Sequence, residues 1–239
     1  MSQYDLISFP NDLVLAEAAA VRWLEAIAAG NRQGRQQFVA ISGGRIARVF
    51  FSAFAAAARS RKISLARVHF FWADERCVPP TDPESNFRLA DENLFRPLNL
   101  PAENVHRIHG ELEPAQAVQM ASNEIQRVVP GGGSGQPILD LVFLGMGEDG
   151  HVASLFPGSS ATDAQATTVY QAVVAAKPPP HRLTLSYQTI AAAREVWVLA
   201  SGAGKESALQ KSLDAQGQTP LARVIQMRSR MLIFTDIKL

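Results

Sequence analysis

The chain is poor in cysteine, holding only Cys77 among 239 residues. One thiol excludes an internal disulfide and any cysteine-rich zinc site, and it fits a reducing cytoplasm. Long apolar runs are also missing, and none approaches the roughly 18 residues that a membrane span requires. The N-terminal stretch MSQYDLISFPNDLVLAEAA has no basic region leading into an apolar run, so no secretory signal is read there. Nor is charge of either sign in excess: the formal net charge is +1 and charged residues make up 19%. A nucleic-acid partner would favour a strongly basic face, so none is expected; a small anion needs only a few placed cations and stays open. No internal repeat or heptad run occurs. The apolar share of 47% is ordinary for a globular protein with a sizeable core, and with the single thiol and the missing signal and spans it leads to the expectation of a soluble, cytoplasmic protein.

Hydrophobic periodicity organises the chain. Asn11 or Asp12 caps a first helix to about Ala29, ended by Gly30, with Leu13, Ala16, Ala20, Trp23, Leu24 and Ile27 on its inner face. Phe38–Ile41 reads as a short buried strand stopping at Ser42-Gly43-Gly44, and an alanine-rich helix follows from about Arg45 to Arg59. Val68–Trp72 is a second strand, ending at Asp74-Glu75-Arg76. Strand, loop, helix, strand is the βαβ pattern of a parallel sheet. Ser85 caps a helix to about Phe95, Val105–His109 is a candidate strand, and Pro114–Val129 is helical in composition. Gly131-Gly132-Gly133-Ser134-Gly135 is read as a surface loop rather than a domain boundary, because a core strand follows at once. Strands are expected at Val169–Ala175, Arg182–Tyr187, Glu195–Ala200 and Met231–Phe234, and helices at Gln188–Ala193, from Lys205 to about Leu213, and at Pro220–Gln226. The alternation predicts one α/β domain over residues 1–239, a three-layer α/β/α sandwich with a Rossmann-like, mostly parallel sheet.

The most informative stretch is Leu141–Gly158, LVFLGMGEDGHVASLFPG: a buried strand running into a glycine loop that carries Glu148, Asp149 and His151. Open α/β sheets place chemistry at such strand ends. Gly145–Gly150 matches the dinucleotide pattern G-x-G-x-x-G literally. Glu148 and Asp149, however, would put negative charge where a pyrophosphate must approach, and Pro157 comes too early for the long first helix of a nucleotide fold. Ser42-Gly43-Gly44 suits either a tight turn or an anion site at a helix start. Lys177 precedes three prolines that hold it out in extended backbone, with Arg182 heading the next strand; two cations on a stiff loop suit a phosphate monoester. Gly204-Lys205 fails as an ATP-binding loop, since Leu199 stands where the first glycine belongs and Glu206 where a hydroxyl belongs. The five histidines lack the spacing of a metal site.

Four blocks, in order, resemble the 6-phosphogluconolactonase branch of the sugar-phosphate isomerase/lactonase superfamily: Ser42-Gly43-Gly44; Phe70 to Pro79 (FFWADERCVP) with Ser85-Asn86; LGMGEDGHVASLFPG; and Lys177 to Leu185 (KPPPHRLTL). The isomerase/deaminase branch carries a similar Asp-Gly-His, followed by a segment like A-F-N-E-P-G, whose glutamate assists ring opening. Here Phe156 stands in the glutamate's place, which favours the lactonase branch. Relatives also commonly continue Ser-Gly-Gly as S-T-P, whereas this chain has Arg45-Ile46-Ala47. Arg45 either replaces the lost hydroxyls as a charge-assisted donor or points to solvent.

The resemblance implies hydrolysis of 6-phosphoglucono-δ-lactone to 6-phosphogluconate, without metal or organic cofactor, by a monomer or homodimer. His151 is assigned as the base that activates water, with Asp149 or Asp74 orienting its ring and Arg76 facing the oxyanion or the sugar hydroxyls. Lys177 and Arg182 are assigned to the 6-phosphate, with Ser42, Gly43 and Gly44 as a second anchor, and Arg45 and Glu75 complete the substrate-binding set. The alternatives are a glucosamine-6-phosphate isomerase/deaminase-type enzyme and a catalytically inactive sugar-phosphate-binding relative.

Overall fold

The computed structural model describes residues 3–133, 135–158 and 168–239; Ser134 of the glycine loop lies outside them. Its centre is a six-stranded, all-parallel sheet. In chain order the strands are β1 (Asp5–Ser8), β2 (Gln37–Ile41), β3 (Val68–Trp72), β5 (Leu141–Gly145), β8 (Glu195–Ala200) and β9 (Leu232–Thr235), and their order in space is β1-β9-β8-β5-β2-β3. A second, antiparallel sheet of three short strands has the order β4 (Asp74–Arg76), β7 (His181–Leu185), β6 (Tyr170–Val174).

Helix α1 (Asp12–Arg32) starts where expected, Asn11 accepting from the Val14 N–H at 3.0 Å, and it runs through Gly30 to a cap at Gln33. Its buried face is Leu15, Ala16, Ala19, Ala20, Trp23, Leu24 and Ile27, whereas Leu13, expected inside, is 53% exposed. The period is right; the first turn overhangs the sheet. Trp23 packs on Phe54 of α2 (Arg45–Arg61) and on Phe143 of β5, with ring centroids 4.3 and 4.9 Å away. This join of both inner helices to the sheet is the kind of contact whose truncation costs about 3–5 kcal/mol.

The β1–α1–β2 and β2–α2–β3 crossovers step toward the β3 edge, whereas the chain after β5 steps the other way, through β8 and then α7 (Glu206–Leu213) and α8 (Pro220–Gln226) to β9. Right-handed crossovers put α1 and α2 on one face and α7 and α8 on the other, which makes the three layers. The direction reverses between β2 and β5. Open sheets part there at their carboxyl ends, and there Ser42–Gly44 and the loop from Gly145 emerge side by side.

Several expectations are corrected. Val105–His109 makes only one bridge, Phe70 to Val105, because His106 turns inward to His69 (2.9 Å) instead of continuing along the sheet. Asp74–Arg76 is not a loose strand end but strand β4, and β1 escapes the sequence reading because its four residues, three exposed and one half-buried, carry no clear period. The helix capped by Ser85 comprises α3 (Asn86–Ala90), a π-helical turn (Asp91–Phe95) and α4 (Arg96–Leu98). Residues from Leu15 to Ile237 form one apolar cluster, and among the described residues no helix is long and apolar enough to cross a membrane.

Candidate active site

At the switch point lies a cavity of about 550 Å³, lined by the β2–α2 turn, the loop after β5, strand β4, the proline loop before β7 and the loop after β8. Its chemical end is the β5 loop. Asp149 Oδ1 lies 2.5 Å from His151 Nδ1 and also accepts from the His151 backbone N–H at 3.1 Å. Burial acts to raise the Asp149 carboxyl, but the His151 backbone and ring outweigh it and hold it below its usual range. With Nδ1–H given to a carboxylate, Nε2 is the basic nitrogen of the ring. Phe156 packs on the ring with centroids 4.8 Å apart. After Gly150 the chain makes turns, with a small Val152–Leu155 bridge, so no helix starts where a pyrophosphate would need one.

Asp74, the other candidate to orient His151, does something else. It is 5% exposed, and its Oδ2 accepts from the Ser154 hydroxyl at 2.8 Å. Arg76 lies directly across β4–β7 from Arg182. Like charges facing each other across a ladder repel, and burial followed by Arg76 lowers the Arg182 pKa. Arg182 also braces the proline loop, donating from Nε to Pro179 O (3.1 Å) and from Nη2 to Lys177 O (3.4 Å), and sits over the Phe156 ring. Lys177 stands at the rim, its side chain 86% exposed and 4.0 Å from Glu148.

Cations also border the cavity at the start of α2 and after β8. Helix α2 begins at Gly44, whose φ of 97° needs glycine, and no side chain caps its first-turn N–H groups. Ser42 lines this corner, but its hydroxyl donates to Phe143 O at 2.9 Å, tying β2 to β5. Lys205, at the start of α7, places Nζ 2.6 Å from Met146 O; burial and then Arg45 lower its pKa. Arg45 leans on the Gly202 backbone and makes only a 3.6 Å ion pair with Asp12, so it borders the cavity rather than leaving it.

Every site residue expected from the sequence except Glu75 therefore borders this cavity. Glu75 is 2% exposed and lies behind the wall: Oε1 accepts from the Arg76 and Asn86 N–H groups (both 2.7 Å), and Oε2 from Phe87 N–H (2.7 Å) and the Ser85 hydroxyl (3.1 Å). Burial pushes its pKa up to about 7 against the pull of those N–H groups. A carboxylate with both oxygens occupied has nothing left for a sugar, so its assignment to the substrate is withdrawn. Sequence reasoning gives no role to Asn86, Ser154 or Lys205. For Lys205 the signal was present: strand, glycine, lysine, helix fails as an ATP loop, and that failure hides a lysine suited to a single phosphate.

A larger cavity, about 710 Å³, opens beside Val105 and α5 (Pro114–Val128). Its arginines are already matched: Arg96 with Asp91 (2.6 Å), Arg107 with Glu111 (2.7 and 2.9 Å), Arg127 with Glu124 (2.7 Å). His106 is held on both sides, by His69 and Glu124. Among the described residues, no group of three or more His, Cys, Asp or Glu side chains gathers as a metal-ligand set.

Comparison with known proteins agrees with this geometry. The chain is 35% identical to the 6-phosphogluconolactonase of Haemophilus influenzae over 72% of each chain. It is 33% identical to that of Streptomyces coelicolor, over 93% of this chain and 88% of the other. The structure of 6-phosphogluconolactonase from Trypanosoma brucei superposes with a TM-score of 0.82 at 26% identity, covering 98% of this chain and 95% of that one. The family model for glucosamine-6-phosphate isomerases/6-phosphogluconolactonase matches residues 10–234, and the chain belongs to that family.

Proposed function

We propose that the protein, working as one domain, hydrolyses 6-phosphoglucono-δ-lactone to 6-phosphogluconate. The observation that carries this reading is the Asp149–His151 pair, bonded at 2.5 Å, in a cavity that also holds an uncapped helix start with Lys205 and Arg45. A base and an anion seat in one cavity match a substrate with a carbonyl at C1 and a phosphate at C6.

In this mechanism His151 Nε2 takes a proton from water as the oxygen attacks the lactone carbonyl, and Asp149 stabilises the imidazolium. Arg76 stands by for the oxyanion. Collapse breaks the bond to the ring oxygen, which takes the proton back from His151. The phosphate sits against the first turn of α2 with Lys205 and Arg45; Arg182 and Lys177 border the same cavity, a smaller part than the sequence assigns them. An isomerase needs a second proton carrier beside the histidine; Phe156 occupies that place with a hydrocarbon ring.

The test is lactone consumption measured against spontaneous hydrolysis, with glucosamine 6-phosphate as a parallel substrate. Hydrolysis well above background, without ammonia release from the amino sugar, is expected. A rate no faster than background would sink the proposal.

A further inference from the structure

We infer that Asn86 is a positioning residue, a strut between the Ser42–Gly44 turn and strand β4 that sets the distance between the substrate's phosphate anchor and Arg76, the group that faces the oxyanion at the point of cleavage. The inference rests on the reading of the cavity given above.

Asn86 is 2% exposed yet borders the cavity. Its Nδ2 donates to Asp74 O at 2.8 Å, and its Oδ1 packs so closely on Gly43 that a Cβ there would overlap it. The nearest heavy atoms around that added Cβ all belong to Asn86. One small side chain thus spans from the β4 backbone, two residues before Arg76, to the turn that opens α2.

The strut has a fixed footing. Glu75 binds the N–H groups of Asn86 and Phe87 and the Ser85 hydroxyl, while also binding Arg76 N–H of its own strand. Residues 85–87 are thereby locked to β4. The span also needs one. Ala73 N–H donates to Ile41 O at 2.8 Å, and past that bond the two segments part, one into α2 and the other into the antiparallel sheet. No ladder sets their separation there, so Asn86 does.

The consequence is specific to a substrate held at both ends. Misplacing a reacting group by 1 Å can cost about 10²-fold. That penalty applies when the phosphate is seated on the α2 turn, and much less to a lactone lacking a phosphate, which settles freely against His151.

The experiment compares kcat/KM for 6-phosphoglucono-δ-lactone and for unphosphorylated glucono-δ-lactone. Asn86→Ala is expected to lose about 10–100-fold on the phosphorylated lactone, at least tenfold more than it loses on the other. Gly43→Ala drives a methyl into Asn86, so its activity falls too. The double variant Gly43→Ala/Asn86→Ala removes the overlap and is expected to exceed Gly43→Ala alone on the phosphorylated lactone. Thermal melting of each variant separates lost folding from lost registry. An unchanged ratio between the lactones, or a double variant no better than Gly43→Ala, overturns the inference alone. Wild-type inactivity on both lactones overturns the functional reading and the inference with it.

Discussion

The cavity at the switch point holds about 550 Å³ and the cavity beside α5 about 710 Å³, yet their charges are used in opposite ways. Beside α5, Arg96, Arg107 and Arg127 each meet a carboxylate at 2.6–2.7 Å. At the switch point, Arg45, Arg76 and Lys177 reach acidic oxygens only at 3.5–4.0 Å, and Arg76 faces Arg182 across a strand pair. A fold that leaves cations crowded and weakly matched has kept them for a ligand. Size alone points to the wrong cavity.

The strongest way to break this comparison is to remove the histidine at each place in turn. His151→Ala is expected to lower kcat about 10²–10⁴-fold, the usual loss of a general base. His106→Ala, which cuts the chain from His69 to Glu124 beside the other cavity, is expected to leave kcat within about twofold while lowering the melting temperature. Equal losses of rate would mean that the larger cavity takes part in the chemistry.

A smaller effect sharpens the assignment inside the proposed catalytic cavity. Lys205→Ala removes a charged donor proposed to hold the phosphate, and Lys205 is not a direct partner in the Asp149–His151 pair. A charge-assisted hydrogen bond contributes about 1.5–3 kcal/mol, so KM should rise about 10–100-fold with kcat nearly constant. Steady-state kinetics decides it: a fall in kcat at unchanged KM would place the lysine at the reacting carbon instead.

What the sequence made legible follows from the range of the forces involved. β2, β3, β5 and β8 were readable because each is a short, mostly apolar run that stops near glycine or charge, and the Asp149–His151 pair because its members are two residues apart. The antiparallel sheet was not, since β4 is three charged and polar residues whose partner, β7, lies more than 100 positions away. Glu75 was misread for a related reason. Beside Asp74 and Arg76 it looks like a third site residue, but alternation on a strand turns it to the opposite face, where Ser85–Phe87 close over it. Lys205 is about 60 residues from Met146, and only the fold brings its Nζ to the loop that carries His151.

The smallest effect belongs to the larger cavity. Arg107→Ala there breaks a bidentate pair with Glu111 and a contact over the Phe87 ring. Both side chains are partly solvated, so the loss of stability at neutral pH should be only about 1 kcal/mol or less. Its pH dependence is distinctive. Arg107 is the main influence holding the Glu111 carboxyl down at about 2, against 4.5 ordinarily. A depressed carboxyl stabilises the fold above its unfolded value and loses that contribution as pH falls through the folded one. Wild type and variant should therefore differ most above pH 4.5 and converge as pH falls through about 2, as followed by denaturant unfolding at a series of pH values. KM for the phosphorylated lactone should not move, because a guanidinium already held by its own carboxylate has little left to offer a phosphate. A rise in KM on removing Arg107 would show that paired cations also recruit substrate, and the contrast between the two cavities would fail at its premise.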